Sequence, residues 1–187
     1  MKRLFSVLVF FLGLTIKAQG KLPYFEIPAP PREYTAGAVA GRMVDGLGFR
    51  YYWATEGLKQ EDLEYQPSKE ARSTRSTLEH ILNLSIVTLS SVSKEKMDIP
   101  KKGSLSFHKL REKTLENFKK TSEILKESKK ISSMVMKRGD KEYPFWNQLN
   151  GPIADAIWHV GQVVTFRRSS GNPLSKGVNL LTGKVKR

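Results

Sequence analysis

The sequence predicts an all-α protein, a four-helix bundle with a short hairpin or strand before its last helix. Three observations lead there. Four segments repeat apolar residues at spacings of three and four, the period of a helix that buries one face. Only residues 131–143 (ISSMVMKRGDKEY) read as extended chain, turning at Gly139-Asp140. The 187 residues contain no cysteine, so neither a disulfide framework nor a Cys-type zinc or iron–sulfur site shapes the fold, and no catalytic thiol is present.

Met1-Lys2-Arg3 is a short basic start, and Leu4 to Ile16 is an uncharged run of 13 residues. A membrane-spanning helix needs about 20 apolar residues, a signal-peptide core about 7–15. Residues 1–20 therefore read as a signal peptide cleaved near Ala18 to Gly20, which expects a periplasmic or secreted protein with no membrane span in the mature chain. The lack of Cys excludes a lipoprotein. Residues 21–36 follow as an extended lead-in with four prolines at 23, 28, 30 and 31.

The first helix is expected from about Gly37 to Gly57, on Val39, Met43, Leu47, Tyr51 and Ala54; its Gly41, Gly46 and Gly48 suit close approach of another helix. Residues 58–72 are polar, contain Pro67 and read as a long connection. Ser76-Thr77-Leu78-Glu79 matches a capping box, so the second helix starts there and runs to about Val92. Leu78, Ile81, Leu82, Leu89 and Val92 form its main stripe, Leu84 and Val87 a second one. After a loop with Pro100 and Gly103, the third helix spans about Ser104 to Ser128. Phe107, Leu110, Thr114, Phe118, Thr121 and Leu125 line one face and charged residues fill the other. In the last helix Asn150 is placed as cap and Pro152 in the first turn, with Gly171 as its stop. Apolar residues cover most of its circumference, which predicts the most buried helix. The bundle domain covers 37–173, and residues 174–187 form a basic tail.

The last helix carries Asp155, His159 and Gln162 among its apolar residues, and polar side chains in such surroundings need partners. Asp155 and His159 are four apart and project from one side. Such a pair can hold one divalent metal ion or simply bond each other; the spacing does not choose. His80, early in the second helix, sits where the helix dipole disfavours imidazolium and suits a neutral ligand, although a core histidine fits as well. Periodicity does not bring His80 to Asp155.

Ser76-Thr77-Leu78-Glu79-His80-Ile81-Leu82, followed by Asp155-x-x-x-His159-x-Gly161-Gln162 and an arginine pair before Gly171, resembles the DinB/YfiT-like superfamily. The resemblance spans about residues 37–173 and is diffuse outside these two motifs. It implies a four-helix bundle, a homodimer, and a divalent metal, zinc or nickel, held by one His of the second helix and an H-x-x-x-H pair of the last. By that resemblance His80 and His159 are metal ligands, Asp155 stands where the family usually has His, and Gln162 is a residue behind the ligands. Relatives of this kind include metal-dependent hydrolases and thiol S-transferases, which implies a small-molecule substrate whose identity is unknown. A two-His, one-carboxylate set leaves a coordination position open. The alternative is a non-catalytic protein of the same fold without metal.

The net charge of +14 invites a nucleic-acid reading. From Ala156 onward Arg167, Arg168, Lys176, Lys184, Lys186 and Arg187 face no acidic residue in sequence. Yet the basic residues of the third helix alternate with Glu112, Glu116, Glu123 and Glu127, no nucleic-acid motif with interleaved aromatics appears, and an exported chain does not meet the genome. Nucleic acid is therefore not the expected partner, and His108 belongs to this solvated surface.

Overall fold

The computed structural model describes residues 21–186, so the expected leader lies outside the described residues. Four long helices make the body: α1 (Ala36–Thr55), α3 (Thr74–Ser93), α4 (Phe107–Glu127) and α6 (Ala154–Ser169), with the short helices α2 (Gln60–Glu64) and α5 (Phe145–Gln148). They pack in the cyclic order α1–α4–α3–α6, and the contact of α1 on α4 is the most extensive. Leu47, Tyr51, Leu78, Ile81, Leu110, Leu115, Leu125 and Val163 are fully buried at the centre. The hairpin β1 (Met136–Arg138) and β2 (Lys141–Tyr143) pairs Met136 with Tyr143 and turns at Gly139, whose φ is +60°. None of the described helices is long and apolar enough to cross a membrane.

Thr35 caps α1 by accepting from the Ala38 amide at 3.1 Å. Fourteen of the twenty residues of α1 are buried, so α1 is the most buried helix and α6 is not. The reason is the lead-in. Tyr24 and Phe25 fold over the side of α1 that a bundle would leave open, the Trp53 indole donating to the Phe25 carbonyl at 3.1 Å. The buried face is correspondingly shifted: Val39 and Met43 are about half exposed, whereas Ala40, Val44 and Phe49 are inside. Gly41 and Gly48 admit close neighbours as expected. A Cβ on Gly41 would lie 2.9 Å from the Ser122 carbonyl oxygen of α4, and one on Gly48 would strike the Tyr24 ring. Gly46 meets only the tip of Arg50.

The last turn of α1 contains no basic residue, yet its C-terminal carbonyls carry the negative end of the helix dipole. Two arginines from other helices supply the charge. Arg167 of α6, buried, donates to the carbonyls of Trp53 and Ala54 at 2.9 and 3.1 Å. Arg111 of α4 donates to Thr55 Oγ1 and to the Tyr52 carbonyl. One member of the acid-free C-terminal stretch is thus an internal structural cation. Asp62 of α2, also buried, accepts from Asn172 and Ser170 beside it.

The segment read as a long connection contains α2, anchored by the Lys59 amide donating to Asp62 at 2.8 Å and by buried Leu63. Helix α3 starts earlier than the expected Ser76. Ser73 is its cap and accepts from the Ser76 amide at 3.2 Å. Glu79 does not reach back to close a box. Its carboxylate takes Arg75 at 3.2 Å and the Gly103 amide at 3.0 Å, tying the 94–106 loop to α3. Ser106 caps α4, which buries the predicted face except for half-buried Phe107.

Asn150 is not a cap. The chain is already helical from Phe145, and residues Leu149–Ile153 form a π-turn that joins α5 to α6 without a break. Proline has no N–H and its ring crowds the carbonyl four residues back, so a regular α-turn at Pro152 is disfavoured and a widened turn absorbs it. On α6 only Ala156, Val160, Val163 and Arg167 are buried. Ala154, Trp158, Gly161, Thr165 and Arg168 form an outer stripe that no described element covers, with Trp158 70% exposed. Gly171, at φ +87°, ends the helix as expected. The tail returns to the lead-in as a small hairpin, β3 (Val178–Asn179) with β4 (Lys184–Val185); the Ile27 amide donates to the Gly183 carbonyl at 3.0 Å.

Candidate metal centre

α3 and α6 pack side by side and bring His80 to Asp155 and His159. His80 Nε2 lies 3.2 Å from Asp155 Oδ2, and His159 Nε2 lies 3.3 Å from Asp155 Oδ1. The two imidazoles meet edge to face with centroids 4.7 Å apart. Because α6 is less buried than expected, the trio sits half-buried at the bundle surface, open to small molecules. The His159 side chain is 12% exposed and that of Asp155 36%.

Gln162 determines the chemistry of His159. Its Oε1 is 2.7 Å from His159 Nδ1. A carbonyl oxygen only accepts, so Nδ1 carries a proton and donates to Gln162, which leaves Nε2 as the nitrogen turned towards Asp155. Nε2 faces the Asp155 carboxylate, whose negative charge calls for a positive one beside it. Arg72, just before α3, supplies one: its guanidinium nitrogen is 3.4 Å from His159 Nε2. A divalent cation satisfies the same requirement. His80 is held below the usual histidine pKa, first by burial and then by the charges of Arg72 and His159, against the hydrogen bond with Asp155. It is therefore neutral at pH 7, the form that ligates.

The donor set fits a small divalent ion. Nitrogen and oxygen ligands at about 2.0–2.1 Å around a tetrahedral centre stand about 3.3 Å from one another. His80 Nε2 and His159 Nε2 stand 3.2 and 3.3 Å from Asp155, each from a different carboxylate oxygen. One ligand atom from each of His80, Asp155 and His159 lies within 4.8 Å of the others, the only such group of three or more metal-ligating residues among the described residues. Gln162, hydrogen-bonded behind His159, has the geometry of a residue that fixes a ligand's tautomer and orientation.

The aromatic side chains and the third histidine lie elsewhere. Tyr51 and Tyr52 are core residues, the Tyr52 ring lying under Arg111 at 4.5 Å. Trp158 stands on the outer stripe of α6. His108 is exposed on the first turn of α4. Sequence reasoning missed Arg72, which sits in an aperiodic segment where nothing marks one arginine from the next. Comparison with family models, curated proteins and solved structures finds no match to this chain.

Proposed function

We propose that this chain is an exported, divalent-metal-dependent enzyme of the DinB/YfiT-like kind, a hydrolase or thiol S-transferase acting on a small molecule. His80, Asp155 and His159 hold the metal, zinc or nickel, and Gln162 orients His159. The observation that carries the reading is the convergence of His80 Nε2 and His159 Nε2 on the two oxygens of the Asp155 carboxylate, at 3.2 and 3.3 Å, with His159 Nδ1 held from behind by Gln162. A bound metal with an open position would lower the pKa of a coordinated water or thiol and polarise an electrophile. The half-burial of the trio leaves room for that approach. A homodimer goes with the resemblance and is checked by the mass in light scattering.

Metal analysis of untagged protein tests the centre. About one equivalent of zinc or nickel is expected, lost in His159→Ala and reduced in Asp155→Asn. Wild type that is metal-free as purified and takes up none on addition removes the enzyme reading. Affinity should fall in acid, at a pH below the usual histidine range, because protons then compete for the His80 imidazole.

A second reading is a metal-free binding protein of the same fold, and one contact favours it. Arg72 beside His159 already supplies a positive charge to the trio. On this reading Arg72→Gln destabilises the protein and creates no metal affinity. On the enzyme reading the same change removes a competing cation and tightens metal binding.

A further inference from the structure

The outer face of α3 carries more than the candidate ligands. Ser76, His80, Asn83, Val87, Ser90 and Lys94 follow one another at helical spacing along it, and the 94–106 loop runs back beside them. Two cavities lie between helix and loop. The first, about 480 Å³, is bounded by His80 and Asn83 on α3 and by Pro100, Lys101 and Lys102 on the loop. The second, about 880 Å³, takes up where the first stops on both walls, at Ile86 and Val87 on α3 and at Ile99 on the loop. Both volumes are of small-molecule size.

The two ends differ in chemistry. Arg72, Lys101 and Lys102 line the first cavity; among the described residues no carboxylate pairs with Lys101 or Lys102, and Arg72 reaches His159 Nε2 at 3.4 Å. Glu79, the one acid there, is already bonded to Arg75 and the Gly103 amide. The second cavity has Val87, Met97, Ile99, Val135 and Met136 in its walls, together with Lys94, Glu95 and Lys96, and its Lys137 is paired with Glu142 at 3.0 Å. Three cations in one concavity, two of them without an acid partner among the described residues, attract an anion. The apolar limb adjoining them accepts a chain.

We propose that these cavities form one groove for an amphiphilic organic anion, a carboxylate on an apolar chain. Its head lies among Arg72, Lys101 and Lys102 beside the His80 centre, and its chain runs over Val87, Met97 and Ile99. The groove rests on the metal reading only for what is done to the head group; the binding itself needs no metal.

Calorimetric titration of the full mature chain with acetate, hexanoate and decanoate, each at submicellar concentration, tests this. The protein is used once stripped with chelator and once loaded with zinc. Each buried methylene tightens binding roughly fourfold, so decanoate should bind at least tenfold more tightly than hexanoate. Lys101→Ala/Lys102→Ala should weaken every carboxylate. Ile99→Asp, at an exposed loop position, should abolish the dependence on chain length. The proposal is overturned if decanoate binds no tighter than acetate, if decanol binds as well as decanoate, or if the Ile99→Asp variant keeps the full chain-length dependence. Decanoate bound by stripped protein that takes up no zinc upholds the groove and removes the metal centre. Zinc bound by protein blind to chain length does the opposite.

Discussion

At the scale of single residues, Gln162 and Asp62 make the sharpest statements. Gln162→Leu leaves His159 free to rotate and to change tautomer, so metal affinity should drop by about 10–100-fold while thermal stability moves little. Zinc titration against a competing chelator reads the first quantity and calorimetry the second. Asp62 carries a pH dependence. Burial raises its pKa, but hydrogen bonds from Ser170, Asn172 and the Lys59 amide, with the Arg167 charge, outweigh this and hold it below the usual carboxylate value. The stability it contributes is therefore complete above the unfolded-state pKa of about 3.9 and is lost as pH falls through the lower folded-state value. Asp62→Asn should cost about 1–3 kcal/mol in urea unfolding at pH 7. The two proteins should converge in strongly acidic buffer, and a gap that persists there would show that the charge is not the source. Much of the site was readable at this scale. His80, Asp155, His159 and Gln162 were each identifiable by type and helical position. Their meeting was not, because a helical period says which residues share a face and not which face another helix meets. Arg72 gave no signal at all, since its role depends on where a loop comes to rest.

At the scale of elements, two glycines of α1 test the packing in opposite directions. In an α-helix, Gly to Ala gains about 1 kcal/mol of propensity. At Gly46 the added methyl meets only the mobile tip of Arg50, 3.3 Å away, so Gly46→Ala should stabilise by up to that amount. At Gly41 it meets the Ser122 carbonyl oxygen at 2.9 Å, so α1 and α4 must part, and Gly41→Ala should destabilise by about 1–3 kcal/mol. Urea midpoints with unchanged slopes would show both effects; equal signs would mean that the α1–α4 contact is looser than described. The long helices were legible because their apolar period is strong. Their starts were less so. Ser73 and Ser76 both offer a cap, and the choice falls to Ser73 because Glu79, needed to complete a box at Ser76, is drawn away by Arg75 and Gly103. α2 escaped notice because five residues carry too little periodicity. Asn150-Gly151-Pro152 looked like a beginning because local propensity cannot register that Phe145 and Gln148, buried just upstream, have already started the helix.

At the scale of the whole molecule, the net charge resolves into parts with different roles. Arg111 and Arg167 close the end of α1, Lys126 pairs with buried Asp45, and Lys109 and Lys119 pair with glutamates on α4. Lys101 and Lys102 remain beside Arg72 with no acid partner of their own among the described residues. Raising salt to 1 M should therefore weaken carboxylate binding far more than it changes the unfolding midpoint, since exposed unpaired charges are screened and buried paired ones much less. A midpoint that shifts as much as the affinity would mean the cations are structural. Burial was the least legible property at this scale. The apolar circumference of α6 suggested the centre of the bundle, yet the lead-in covers α1 instead and leaves a stripe of α6 in water.

The π-turn at Leu149–Ile153 bears on how this centre can change over time. A helix advances by about 100° per residue, so a single residue gained or lost in that turn alters the phase between α5 and α6. Phe145 and Gln148 anchor one side of the joint; Asp155 and His159 hang on the other. The turn works as a vernier: its length sets the angle at which a carboxylate and an imidazole are aimed across at α3, with no substitution in the centre itself. A chain with an ordinary α-turn at this point would aim different residues of α6 at the same histidine.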